Sequence, residues 1–234
     1  MNIAIVGYGK MGKAIEEILI ERGHHVVAKL NQKPTSQDLE NVDVAIEFSN
    51  PEVAYENIKT LLEHKIPTIS GTTGWLDRLE EIKAINQENN AAFIYGSNFS
   101  LGVNLFFELN AHLAKLMRNY PQYQVEIEEI HHTQKLDAPS GTAISLAEQI
   151  FDQSNLTNWE LDGKSEEKNL PIYAKRIENV PGTHTVSYVS DIDTIEIKHT
   201  AHSRKGFALG AVIAAEWIHG KQGFFTMKDV LGLT

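Results

Sequence analysis

The first twelve residues constrain this chain more than any later stretch. Residues 2 to 7, NIAIVG, are apolar with little interruption, as in a strand buried on both faces, and KMGKAIEEILIER then repeats apolar residues at helical spacing. Between strand and helix lies Gly7-Tyr8-Gly9-Lys10-Met11-Gly12. Gly7 permits a tight turn, Gly9 lets backbone N–H groups approach a pyrophosphate, and Gly12 permits close contact of helix with sheet. The spacing alone is weak and fits a turn needed only for packing. Its strand–turn–helix setting is what points to a dinucleotide.

The alternation continues down the chain. HHVVAKL, NVDVAIEFS and IPTISGTT read as strands, with PEVAYENIKTLLEHK a helix carrying Pro51 near its start. LDRLEEIKAINQEN adds a helix and AAFIYGSNF a strand, so residues 1–99 are expected to form a Rossmann-type dinucleotide-binding domain with a parallel sheet. From there the pattern changes. A long helix over LGVNLFFELNAHLAKLMRNY leads past Pro121 into the alternating strand YQVEIEEIHH and the amphipathic helix GTAISLAEQIFD. LTNWELDGKSEEKNLP is polar and turn-rich and reads as a surface excursion, while IYAKRIEN, THTVSYVS and DTIEIKHTAH are three β-like runs. Residues 100–202 are therefore expected to form a second, α+β substrate-binding and oligomerisation domain on a mixed sheet. Residues 203–234, with the apolar helix GFALGAVIAAEWIHG, are expected to return to the first domain. The fold class is α/β.

Composition removes several functions. A formal net charge of -10 opposes a general nucleic-acid binder, since phosphates need a concentrated field of Lys and Arg. With no cysteine there is no disulfide, thiolate catalysis or cysteine-ligated metal. No run approaches the ~20 apolar residues of a membrane span, and the chain starts directly on a strand, so a cytoplasmic location and no membrane partner are expected. Although His131, His132, His184, His199 and His202 are numerous, adjacent histidines diverge on a strand and no HExxH pattern gathers ligands. No metal is expected.

At the adenosine end, a carboxylate closing the second strand would accept from the ribose of NAD. Here that region reads Ala28-Lys29-Leu30-Asn31, and the first acidic residue beyond it is Asp38. Lys29 either meets the 2′-phosphate of NADP or is a solvated surface lysine; on the first reading NADPH serves at least as well as NADH. SGTTGW (70–75) and YGSNFS (95–100) follow strands and offer small residues with free backbone donors, where ligands bind open α/β sheets; each is otherwise a turn or cap.

The segment EIHHTQKLDAPSGTA (129–143) concentrates the remaining chemistry. If the strand runs through both histidines, His131 and His132 face opposite sides. Lys135 brings a cation on a long stem, and Ser140 suits an N-cap before Gly141 and Thr142, whose N–H groups fall in an unpaired first turn. Ala143 supplies no capping-box side chain to compete for them. The group suits a carboxylate ligand and a histidine proton transfer. The competing account is two satisfied strand histidines, a solvated lysine and an ordinary helix start.

These residues resemble the bacterial dihydrodipicolinate (4-hydroxy-tetrahydrodipicolinate) reductases. EIHHTQKLDAPSGTA is similar to that family's signature, supported by GYGKMG, SGTTGW, GSNFSLGVN, THTVSY and FTMKDVLGL almost end to end. The resemblance implies NADPH or NADH as cofactor, with Gly7, Tyr8, Gly9, Lys10, Met11 and Gly12 as the pyrophosphate loop. It further implies Gly71, Thr72 and Thr73 near the nicotinamide, and Gly96, Ser97, Asn98 and Phe99 as a further cofactor contact. His131 is implied as a catalytic proton donor or acceptor and Lys135 as a second catalytic proton donor, with His132, Gly141 and Thr142 as substrate-binding residues. The reaction implied is reduction of a small cyclic dicarboxylate in the diaminopimelate route to lysine, by a homotetramer. Two departures stand out: no acidic residue closes the second strand, and Thr183 stands in Gly182-Thr183-His184 where relatives often carry glutamate. The alternatives are a related reductase of another small acid and a noncatalytic nucleotide sensor.

Overall fold

In β1 (Asn2–Val6), Ile3, Ala4 and Ile5 are wholly inaccessible because the strand is paired on both edges and its sheet is covered on both faces. The structure is a computed structural model that describes residues 1–163, 168–203 and 205–233. After β1 the chain alternates through α1 (Lys10–Glu21), β2 (His25–Leu30), β3 (Val44–Glu47), α2 (Pro51–Glu63), β4 (Thr68–Ser70), α3 (Leu79–Glu88) and β5 (Ala92–Tyr95). Then come α4 (Leu101–Met117), β6 (Gln124–His131), α5 (Gly141–Phe151), β7 (Asn158–Leu161), β8 (Asn169–Arg176), β9 (Gly182–Val189) and β10 (Thr194–Ala201). The chain closes with α6 (Lys205–Ile218), β11 (Gly223–Phe225) and α7 (Met227–Leu231). Two compact units result: Met1–Leu101 with the chain from Lys205 on, and the stretch between them from Gly102.

The first unit is a six-stranded sheet in the order β11-β5-β4-β3-β1-β2, and each neighbouring pair is parallel. One face packs Ile3, Ile5, Ile46 and Ile69 against Ile15 and Leu19 of α1 and the alanines of α6; the other is covered by α2 and α3. Asn50 starts α2 by accepting from the N–H groups of Glu52 and Val53, with Pro51 in the first turn. Small residues let α6 come close: a Cβ on Gly210 would lie 1.7 Å from the Phe99 carbonyl oxygen. The edge strand β11 has only three residues, too few to show a period in sequence.

The second unit is a five-stranded mixed sheet, order β10-β9-β6-β8-β7, antiparallel across β10, β9 and β6 and parallel across β6, β8 and β7. Its covered face carries Ile127, Leu170, Ile172 and Val186, packed on Phe106 and Leu113 of α4 and Leu146 and Ile150 of α5. The polar stretch expected to be a surface excursion contains β7, which lies at the sheet edge. An edge strand pairs on one side only and tolerates polar residues, while Trp159 still packs against the core. Residues 164–167 of that stretch lie outside the described residues. Among the described residues no helix is long and apolar enough to cross a membrane.

The tight seat of α6 makes Gly210→Ala a test of the first unit's packing. The added methyl has backbone as its neighbour, so a loss of about 3 kcal/mol in urea unfolding is expected.

Candidate active site

In the first unit the glycine loop has the shape that ligand approach requires. Gly7 sits at φ +93°, and a Cβ there would lie 2.1 Å from the Phe48 carbonyl oxygen, so no other residue fits. At Gly12 an added Cβ would lie 2.6 Å from the Gly7 carbonyl oxygen. Gly9 has open space instead, and as N-cap of α1 it leaves the helix without a side-chain cap. Gly7 and Gly9 line a cavity of about 400 Å³ together with Asn31, Gln32, Lys33, Phe48, Ser49 and Asn50. Lys10 and Met11 form the first turn of α1.

Tyr8 and Lys29 are already engaged. The Tyr8 N–H donates to Asn31 Oδ1 at 2.8 Å and its hydroxyl to Glu16. Lys29 Nζ is 2.6 Å from Glu16 Oε1 and lies over the Tyr8 ring at 5.1 Å. Lys29 is not among the cavity's lining residues; the cation that is, Lys33, pairs with Glu56 at 2.9 Å. Lys33 lies beyond the end of β2 at Leu30, where the chain turns into the cavity.

Glu47, at the end of β3, organises the neighbouring loops. It is fully buried, and its carboxylate accepts from the Ser49 N–H at 2.9 Å, the Ser49 hydroxyl, Ser70 Oγ at 2.6 Å and Thr72 Oγ1 at 2.9 Å. Burial pushes its carboxyl up, while these donors work the other way. The bonds fix Gly71 and buried Thr72 with exposed Thr73 beyond them; at Gly71 a Cβ would meet the Phe48 ring at 2.1 Å. Gly96 donates its N–H to the Ser70 carbonyl at 3.2 Å, next to exposed Ser97. Asn98 Oδ1 accepts from Ser100 N, and Phe99 is buried against Phe48 at 5.7 Å between ring centroids.

Strand register builds the second unit's cluster. The antiparallel pairing of β6 with β9 sets Glu129 opposite His184, and the parallel pairing with β8 sets His131 opposite Arg176. Alternation puts Glu129 and His131 on the same face as Ile127, which α5 covers. Glu129 is 0% exposed: Arg176 Nη1 and Nη2 each reach its Oε1 at 3.3 Å, and the Ser140 N–H donates to its Oε2 at 2.9 Å. His131 Nδ1 lies 3.7 Å and His184 Nε2 3.8 Å from that Oε2, and the two rings meet edge to face at 5.0 Å. Burial lowers the His131 pKa, Glu129 opposes the shift, and Lys135 and Arg176 reinforce it.

β6 ends at His131, so His132 is already in the following turn and strand alternation does not decide where its ring points. It is half-buried, with Nδ1 lacking a partner among the described residues. Lys135 Nζ bridges the two Asp137 carboxylate oxygens at 2.9 and 2.8 Å and holds that carboxyl below its usual range. Ser140 caps α5 by accepting from Ala143 N at 3.2 Å. The Ser140 cap takes Ala143 N and leaves the N–H groups of Gly141 and Thr142 in the same first turn without a partner among the described residues, and Gly141 faces open space. Thr183 alternates away from His184, with its hydroxyl 3.5 Å from that of Thr200.

Ligand atoms of Glu129, His131 and His184 lie within 4.8 Å of one another. Because Arg176 already neutralises the carboxylate and Ser140 occupies its second oxygen, the cluster is charge-balanced as an ion-paired network.

Comparison with known proteins decides the family. Residues 1–99 match the family model of the dihydrodipicolinate reductase N-terminus, and residues 102–231 that of its C-terminus. The chain belongs to the dihydrodipicolinate reductase family. A 4-hydroxy-tetrahydrodipicolinate reductase of Christiangramia forsetii is 58% identical over 99% of this chain and 98% of its own length. One from Aquifex aeolicus is 41% identical over 88% of this chain and 80% of its own. A dipicolinate-bound dihydrodipicolinate reductase from Paenisporosarcina matches with a TM-score of 0.78 over 97% of each chain at 22% identity, a likeness of fold. For a dihydrodipicolinate reductase, a nicotinamide dinucleotide accounts for the glycine loop and its open cavity.

His184 gives this site a pH signature. Burial drives its pKa from 6.5 to about 3, with nearby His131 adding to the shift. The folded protein thus keeps His184 neutral while the unfolded chain protonates it below 6.5. Its contribution is complete above that pH and lost as pH falls toward 3, on the order of 5 kcal/mol in full. Urea midpoints measured from pH 7 to 4 should fall steeply in the native protein and less steeply in His184→Asn.

Proposed function

We propose that this protein reduces the dehydrated ring of 4-hydroxy-tetrahydrodipicolinate to tetrahydrodipicolinate, in the diaminopimelate route to lysine. The observation that carries the reading is the joint presence of an uncapped glycine-loop helix in one unit and the His131–Lys135–Gly141 segment in the other. NAD(P)H, when bound, supplies the hydride.

On this reading the N–H groups from Gly7 to Gly12 hold the pyrophosphate, and the open face at Gly9 lets it approach. The loop tied down by Glu47 presents Gly71 to Thr73 at the nicotinamide end, and Gly96 to Phe99 forms a second contact. At the adenosine end Asn31 replaces the usual acid, so no like charge opposes a 2′-phosphate, and Lys33 lies in the same cavity. NADPH is accordingly used at least as well as NADH. Lys33→Ala should raise KM for NADPH while leaving KM for NADH nearly unchanged in matched steady-state assays.

The uncapped N–H groups of Gly141 and Thr142 bind one carboxylate of the ring, and Lys135 turns from Asp137 to the substrate. His132 adds a contact through its unpaired ring nitrogen. His131 and Lys135 deliver the proton that must follow hydride addition. Each of His131→Ala and Lys135→Ala should lower kcat by at least about 100-fold. The Kd for NADPH should stay within twofold, and unchanged turnover in a folded variant removes that residue from the scheme. Thr142→Val should raise KM for the ring substrate more than KM for the dinucleotide. Cofactor binding without turnover of freshly generated pathway substrate would instead make the protein a nucleotide sensor. The same reading makes the active form a cytoplasmic homotetramer.

A further inference from the structure

We propose that Glu129 and Arg176 are the positioning residues of the proton-transfer apparatus: Arg176 anchors the turn bearing Lys135, and Glu129 orients His131 and the start of α5. This rests on the assignment of His131 and Lys135 as proton donors.

Arg176 reaches the turn through its backbone. Nη2 donates to the Asp137 carbonyl at 2.7 Å and Nε to the Lys135 carbonyl at 3.3 Å, while Nη1 and Nη2 hold Glu129. The turn has few other ties. Leu136 is 97% exposed, and the only backbone bond of the turn itself among the described residues runs from Lys135 N to the His132 carbonyl at 3.1 Å. A segment with so little apolar contact stays ordered through its polar anchors. Arg176 therefore sets where the Lys135 stem begins. A planar guanidinium meets these acceptors at several angles at once, which an ammonium does not.

Glu129 acts on two partners through one oxygen. Its Oε2 takes the Ser140 N–H, next to the free donors of Gly141 and Thr142, and faces His131 Nδ1 at 3.7 Å. At that distance it makes no hydrogen bond to the ring, and its charge stabilises the ring when both nitrogens are protonated. An added Cβ on Gly182 would lie 3.2 Å from His131 Nε2, so the glycine keeps that nitrogen uncrowded. The charged and titratable groups around His131 are Glu129 on its own strand, His184 from β9, Arg176 from β8, and Lys135 and Asp137 from the turn. Glu129 is the buried anion among them, and the nearby cations oppose it.

Glu129→Gln keeps shape and removes charge, so the alkaline limb of the kcat profile, where His131 loses its proton, should move to lower pH by about one pH unit. Arg176→Lys keeps charge and removes the fork. It should lower kcat/KM for the ring substrate at least tenfold with the limb in place and KM for NADPH unchanged. Glu129→Asp covers the case in which the glutamine variant does not fold: it should retain the limb and lose kcat. An unmoved limb in Glu129→Gln, or full kcat/KM in Arg176→Lys, overturns the proposal, as does an equal loss of substrate and NADPH affinity. His131→Ala is measured alongside. Retention of the alkaline limb there defeats the assignment of His131 itself, whereas its loss together with an unmoved limb in Glu129→Gln defeats only the positioning role.

Discussion

A carboxylate with no access to water has to be met by donors on every side, and Glu129 is met by Arg176 from β8 and the Ser140 N–H at the start of α5. The rest of the second unit's chemistry follows from that requirement. Since the guanidinium also reaches the carbonyls of Lys135 and Asp137, the group that neutralises one buried charge also anchors the turn that carries Lys135. Since the Ser140 N–H is occupied, the first turn of α5 is oriented while its next two donors stay available. The polar cluster is thus continuous with the apolar core: Ile127, Glu129 and His131 lie on one face of one strand.

The first unit solves a related problem with different partners. Glu47 is equally buried, but its acceptors are filled by the hydroxyls of Ser49, Ser70 and Thr72 and by one backbone N–H, with no cation among them. Hydroxyls cost less to bury than a guanidinium and turn to suit the acceptor, so they can stitch together two loops that leave the sheet at adjacent strand ends. The two networks thus differ in charge: hydroxyls and one backbone N–H hold Glu47, whereas a guanidinium holds Glu129.

Several features were legible in the chain as written. The β–loop–α start, the alternation of strands and helices and the Ser140 cap all rest on interactions within about ten residues, which sequence spacing reports directly. Short edge elements were not: β7 and β11 carry too few residues, with too little alternation, to stand out from polar loop. Lys29 and Lys33 show the limit at a single side chain. Both lie near the end of β2, but the local turn puts one against Glu16 and the other in the cavity.

The sequence by itself determined that a glycine loop opens the first helix, that His131, Lys135 and a free helix start fall within a dozen residues, and that no thiol takes part. Tertiary structure alone decided that Glu129, Arg176 and His184 gather around His131, that Glu47 ties the loops of the sheet, and that His184 stays neutral. The reason is physical. Strand register brings residues 129, 176 and 184 together across three strands, and register is set by the burial of whole faces, which no local pattern encodes.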